Sequence, residues 1–139
     1  LVGKHNVQNC LAAISLSRSL NISYTKIKKS ISQFQGVKRR FSILSNKNGN
    51  LIIDDYAHHP SEIKATLESL KLISKKNIIT IIEPHRFSRL TSFLPDFIKS
   101  LSESNSIFVL PVYTAGEKLE SRINSLSFCK LLEILCIYW

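Results

Sequence analysis

Residues 51–74, LIIDDYAHHPSEIKATLESLKLIS, read in three steps. LIID is an apolar run of strand length. DDYAHHP (54–60) then crowds two carboxylates, a phenol and two imidazoles in front of a proline. From about residue 60 to 74 the spacing of Ile63, Leu67, Leu70 and Ile73 predicts a helix with one buried stripe. Pro60 suits its first turn, where a missing N–H costs nothing. Strand, polar loop and helix in succession form the repeating unit of α/β sheets, which bind ligands beyond the carboxyl ends of their strands.

Toward the C-terminus the pattern repeats. NIITIIE (77–83) predicts a strand buried on both faces, SFLPDFIKSLSES a helix interrupted early by Pro95, and SIFVLPVY (106–113) another buried strand. LSFCKLLEIL continues as a helix pattern and closes into CIYW. Toward the N-terminus, FSILS is joined to LIID through NKNGN, whose Asn-Gly is a strong hairpin signal. Two helices are expected before it. Residues 5–20 place Val7, Leu11, Ala13 and Ile14 at helical spacing, and a second helix from about Tyr24 carries Ile27, Ile31 and Phe34, with Ser23 as cap. Gly36 closes this pair and GVKRR reads as an exposed basic connector. The expected fold class is therefore α/β, a mostly parallel sheet opened by a hairpin strand. The helical pair, residues 1–36, should end a preceding domain, and 37–139 should form the next one.

The composition, 44% hydrophobic and 21% charged over 139 residues, is that of a globular domain. No apolar run reaches the roughly 18 residues of a membrane-spanning helix, and no signal-peptide pattern opens the chain. Cys10, Cys129 and Cys136 follow no metal-ligand spacing, so buried free thiols in a reducing cytoplasm are expected. The net charge of +9 attracts polyanions, nucleic acid or phosphorylated small molecules among them. The chain begins at Leu1 and contains no methionine, which suggests a piece of a longer translation product.

Three polar clusters fall at expected strand ends: DDYAHHP, EPHRFSR (83–89) and VYTAGEK (112–118). Asp54 and Asp55 alternate sides if the strand continues, so they need not act as an acid/base pair, and one of them can cap the following helix. Neighbouring His58 and His59 rarely converge on one metal ion, and no metal site is expected. Arg86 and Arg89 would share a face of a helix starting there, making a fork for carboxylate or phosphate. Phe87 and Phe93 are expected in the core. No phosphate-binding G-x-x-x-x-G-K-[ST] loop is present, so a nucleotide's phosphates would need a loop elsewhere.

GKHNVQNCLAAI, FQGVKRRF, DDYAHHPSEIKATL, EPHRFSR and VYTAGE, in this order, resemble the Mur ligases of peptidoglycan synthesis over about residues 3–117. EPHRFSR is similar to the family's QPHR[YF][ST]R, with Glu83 in place of Gln. The resemblance implies a Rossmann-like C-terminal domain from about residue 38, preceded by the end of a central ATPase domain. It implies ATP and Mg2+, the metal held mainly by parts absent from this chain, and the joining of L-alanine to UDP-N-acetylmuramate through an acyl phosphate in the cytoplasm. It further implies that Asn6 and Asn9 contact the nucleoside, that Arg40 reaches the ATP phosphates, and that Asp55 holds the nucleotide. By the same resemblance His58, His85, Arg86 and Arg89 face the amino acid and the reacting carboxylate, with Arg40, His58 and His85 catalytic. Asp54, Tyr56 and His59 are left without an assigned role. The tail departs from the family after about Lys118, as truncation or a frameshift would produce, and the chain alone is expected to be inactive and poorly soluble. Two rivals stand beside this reading, a basic nucleic-acid-binding module and a metal-dependent phosphoesterase built on Asp54, Asp55, His58 and His59.

Overall fold

The structure is a computed structural model and describes residues 2–118, 124–132 and 136–138. The chain divides into two compact units, Leu1–Tyr56 and Ala57–Trp139.

The first unit opens with α1 (Lys4–Ser19) and α2 (Tyr24–Gln33), which pack on each other. Ser23 is the residue before α2, yet its side chain makes no capping hydrogen bond. Only Ile27 of α2 is buried, and Val7 and Leu11 of α1 are exposed. The hairpin follows as β1 (Ser42–Lys47) and β2 (Asn50–Asp54), antiparallel, with Lys47 opposite Asn50. Asn48 and Gly49 form its two-residue turn with φ of 53° and 73°. Both angles lie in the left-handed region that a type I′ turn demands, which is why Asn-Gly is found there. The register shifts between Ile43 and Ser45, leaving Leu44 as a bulge.

The second unit carries a three-stranded parallel sheet in the order β3 (Ile79–Ile82), β4 (Ser106–Val109), β5 (Cys136–Tyr138). Helix α3 (Pro60–Ile73) starts on Pro60 as expected, and it is His59, not an aspartate, that caps it, accepting from the Ser61 amide at 3.3 Å. Helices α4 (Phe87–Ser92) and α5 (Leu94–Leu101) meet at Phe93. The helical run is thus broken early, as expected, and Pro95 stands in the first turn of α5, where its missing N–H costs nothing. Helix α6 (Ser125–Leu131) opens with a capping box between Asn124 and Ser127. The residues CIY, the end of the closing segment, add β5 beside β4.

The core of this unit gathers Ile63 and Leu67 from α3, Leu90, Phe97 and Leu101 from α4 and α5, Ile82, Ile107 and Val109 from the sheet, and Phe128 from α6. Phe97 and Phe128 meet edge to face at 5.9 Å. Leu70 is only partly buried and Ile73 is exposed, so the stripe of α3 is buried in its first two turns. The expectation that β3 is buried on both faces fails. Ile79 and Ile81 are 65% and 68% exposed while Ile82 is 5% exposed, so this continuous apolar run alternates like a one-sided strand. The expectation of free thiols also fails at one position. Cys10 is free, but Cys129 is engaged in a disulfide.

Candidate functional site

In the first unit the charged residues collect where the two ends of the hairpin meet. Phe41 donates its amide to Asp55 Oδ2 at 2.9 Å, and Tyr56 donates its amide to the Arg39 carbonyl at 2.7 Å. These two bonds hold 39–41 against 54–56. Both Arg39 and Phe41 have positive φ, 57° and 51°, so the connector is a tight, specific turn rather than a loose linker. Arg39 Nε lies 3.6 Å from Asp54 Oδ2, and its guanidinium is 4.9 Å from the Tyr56 ring centre. The Arg40 guanidinium is 6.0 Å from the same ring. Arg40 is exposed. Asp54 is the last residue of β2 and Asp55 lies beyond it, so strand alternation does not govern this pair; Arg39 lies beside Asp54, and the Phe41 amide donates to Asp55. Asn6 and Asn9 lie one turn apart on α1, and Asn6 donates to the Val2 carbonyl at 2.7 Å, an anchor for the first turn.

In the second unit three loops converge on His85. Past β3 and β4 an isolated parallel bridge joins His85 to Tyr113, with Arg86 donating its amide to the Tyr113 carbonyl and Tyr113 donating to the Pro84 carbonyl, each at 2.8 Å. Pro84 is fully buried, which fixes the backbone just before the imidazole. The His85 ring lies 5.0 Å from Tyr113 and 5.4 Å from His58, which arrives from the loop before α3. Arg89 Nη1 reaches both the His85 carbonyl and His85 Nδ1 at 3.3 Å. Burial, then Arg89, His58 and Arg86, push the His85 pKa below its ordinary value, with Glu83 opposing weakly. His58 is held by Glu62, whose Oε2 accepts from the His58 amide at 3.1 Å and lies 3.6 Å from Nδ1.

Arg86 is the residue before α4, at φ 71° and ψ 134°, a backbone conformation that costs a non-glycine residue energy and must be imposed by its surroundings. It therefore stands outside the helix, and the expected shared helical face of Arg86 and Arg89 is replaced by a bend. Glu117 imposes part of that geometry. Its two oxygens accept from the Ser88 amide at 3.1 Å and the Ser88 hydroxyl at 2.6 Å, tying the loop after β4 to the first turn of α4. Those bonds hold the Glu117 pKa below its ordinary value. His59 packs edge-on against Phe93 at 4.7 Å, so His59 serves the helix start and Phe93 is a half-exposed brace rather than core. Tyr113 and Glu117 lie in VYTAGEK, one of the three clusters marked in the sequence, but their bracing contacts were not foreseen, and Glu62 was not singled out. Tyr113 and Glu117 lie about thirty positions from the groups they brace, and no local spacing announces that.

Among the described residues no group of three or more His, Cys, Asp or Glu side chains lies close enough to hold a metal ion. Nor, among them, is any helix long and apolar enough to cross a membrane.

Residues 39–130 match the model of the Mur ligase glutamate ligase domain. The chain belongs to the Mur ligase family. It is 40% identical over 116 residues to a UDP-N-acetylmuramate–L-alanine ligase of Carboxydothermus hydrogenoformans, covering 84% of this chain and 25% of the relative. Against the ligase of the same name from Allorhizobium ampelinum it is 47% identical over 115 residues, covering 83% and 24%. The crystal structure of UDP-N-acetylmuramate–alanine ligase from Thermotoga maritima superposes with a TM-score of 0.76 at 31% identity, over 100% of this chain and 30% of that one. This Mur ligase chain thus spans about a quarter of the length of the curated relatives it matches.

Proposed function

We propose that the chain is the C-terminal portion of a cytoplasmic, ATP-dependent ligase that joins L-alanine to UDP-N-acetylmuramate in peptidoglycan synthesis and so serves cell-wall biogenesis, cell shape and cell division. Residues 1–36 are the end of its central ATPase domain and 37–139 its C-terminal domain. The observation that carries the reading is the cluster in which His58, His85 and Arg89 come together beside Arg86. It is a set of nitrogen donors braced by Tyr113 and Glu117, in a chain whose relatives bear that enzyme's name.

The reaction has two steps. A carboxylate oxygen of the muramyl substrate takes the γ-phosphoryl group of ATP, giving an acyl phosphate and ADP. The amine of L-alanine, having lost a proton, then attacks the acyl carbon, the carbon–oxygen bond to phosphate breaks, and inorganic phosphate leaves. Both steps gather negative charge on oxygen, so fixed cations and donors aimed at those oxygens supply much of the rate. In this reading Asn6 and Asn9 contact the nucleoside, Asp55 holds the nucleotide and Arg40 meets the phosphates. Arg86 and Arg89 match carboxylate or phosphate oxygens by paired hydrogen bonds, with His58 and His85 beside the reacting groups. Mg2+ would neutralise the phosphates, held mainly by parts of the ligase outside this chain.

A chimera tests this. With this chain in place of the matching quarter of the Allorhizobium ligase, steady-state ADP formation should require both UDP-N-acetylmuramate and L-alanine. ADP formation indifferent to L-alanine would contradict the reading.

A further inference from the structure

His85 has two ring nitrogens, and the structure treats them differently. Arg89 Nη1 sits 3.3 Å from Nδ1 and equally close to the carbonyl of the same residue, so one –NH2 group addresses both acceptors. A guanidinium has only donors. The Nδ1 atom that meets it must therefore offer a lone pair, and the ring proton must sit on Nε2. No hydrogen bond to Nε2 is made among the described residues.

We infer that Arg89 locks His85 as a neutral imidazole with its proton on Nε2, so that His85 donates a hydrogen bond to a substrate oxygen and does not take a proton from the substrate amine. The groups facing this imidazole support the lock. Arg89 comes from α4, Arg86 from the bend before it, His58 from the loop before α3 and Tyr113 from the loop after β4, while the Glu83 carboxylate opposes them by favouring a charged ring. A second proton on Nδ1 would point at a cation. Together with the two arginines, His85 makes the site a receiver of carboxylate, phosphate or tetrahedral-intermediate oxygens, and the proton of the amine has to leave by another group. The backbone bonds from Arg86 and Tyr113 keep the ring in place for this, and such fixed donors are most useful where charge develops.

The inference rests on the reading of this cluster as the substrate-facing part of a ligase, but its test needs no substrate. The readout is a long-range proton–nitrogen correlation spectrum of the 15N-labelled chain at neutral pH, with the His85 signals assigned by their loss in His85→Gln. The expected result is one tautomer, Nδ1 unprotonated and Nε2 protonated, persisting below the ordinary histidine pKa of about 6.5. Arg89→Leu should release it, giving mixed tautomers and protonation at higher pH, with the amide spectrum reporting that the fold is kept. Should that variant unfold, the wild-type spectrum decides alone. A proton on Nδ1, a doubly protonated ring at neutral pH, or a tautomer unchanged in folded Arg89→Leu would overturn the inference. If the lock is found and the chimera is inactive, the ligase reading fails and the tautomer stands.

Discussion

The two polar clusters are built in opposite ways. The cluster of Arg39, Arg40, Asp54, Asp55 and Tyr56 comes from the two ends of one hairpin, and its guanidiniums lie exposed over an aromatic ring. The cluster of His58, His85, Arg89 and Tyr113 is drawn from three separate loops, half-buried at its centre, and braced by backbone bonds and a carboxylate clamp. The first can meet a large, highly charged ligand without its own groups being desolvated. The second can fix the orientation and proton content of single atoms, because burial and neighbouring charges decide which form each group takes. A phosphate-facing role suits the first and a carboxylate- or acyl-facing role the second.

The largest expected effect breaks this contrast at its exposed end. In the chimeric ligase Arg40→Ala should lower turnover by about 10³-fold, the scale of an arginine that stabilises transferring phosphoryl charge. Its thermal stability should stay within about 0.5 kcal/mol, since an exposed residue is replaced. Near-normal turnover measured by ADP formation would remove Arg40 from the phosphate site. Next comes the packing beneath the second cluster. Phe97→Ala should cost about 3–5 kcal/mol in urea unfolding, because this ring is fully buried against Phe128. A loss under about 1 kcal/mol would mean that the core is not packed as described.

A smaller effect distinguishes the braces by pH. Glu117 has a folded pKa below its ordinary value of 4.5, so its contribution to stability is complete above that value and is lost as the pH falls through the lower folded pKa. Glu117→Gln should therefore remove a stability difference seen at neutral pH that the wild type itself loses in acid. His85 acts in the same direction at higher pH. The unfolded ring takes up a proton near 6.5 before the folded ring does, so stability falls as the pH drops from about 6.5 toward the folded pKa. Denaturant titrations across pH 3 to 8 check both. The smallest effect belongs to the surface pair Arg39–Asp54, for which a double-mutant cycle should give about 0–1 kcal/mol, shrinking with added salt.

Legibility in the sequence followed the same division. The hairpin turn and the Pro60 helix start could be read because each depends on a few consecutive residues with strong backbone preferences. The alternation after residue 56 gave the α/β class, since the periods of strand and helix differ. Burial was read less well. Within Ile79–Ile82 both outward positions are isoleucine, and the polar residues on that side, Asn77 and Glu83, stand only at the ends of the run, where a strand buried on both faces would also carry them. Pro95 marked the break in the helical run, and the structure places that break at Phe93 with Pro95 in the first turn of α5. The arginines and histidines of the second cluster stood out by type, but the bend at Arg86, the Tyr113 bridge and the Glu117 clamp exist only once distant loops meet.

The contrast between the clusters is tested most directly by the KM values of the chimeric ligase carrying Arg89→Ala. The loss of charge-assisted hydrogen bonds at the second cluster should raise the KM for L-alanine by about tenfold or more, with the KM for ATP changed less than about twofold. A raised KM for ATP with an unchanged KM for L-alanine would contradict the assignment of the first cluster to ATP and the second to L-alanine.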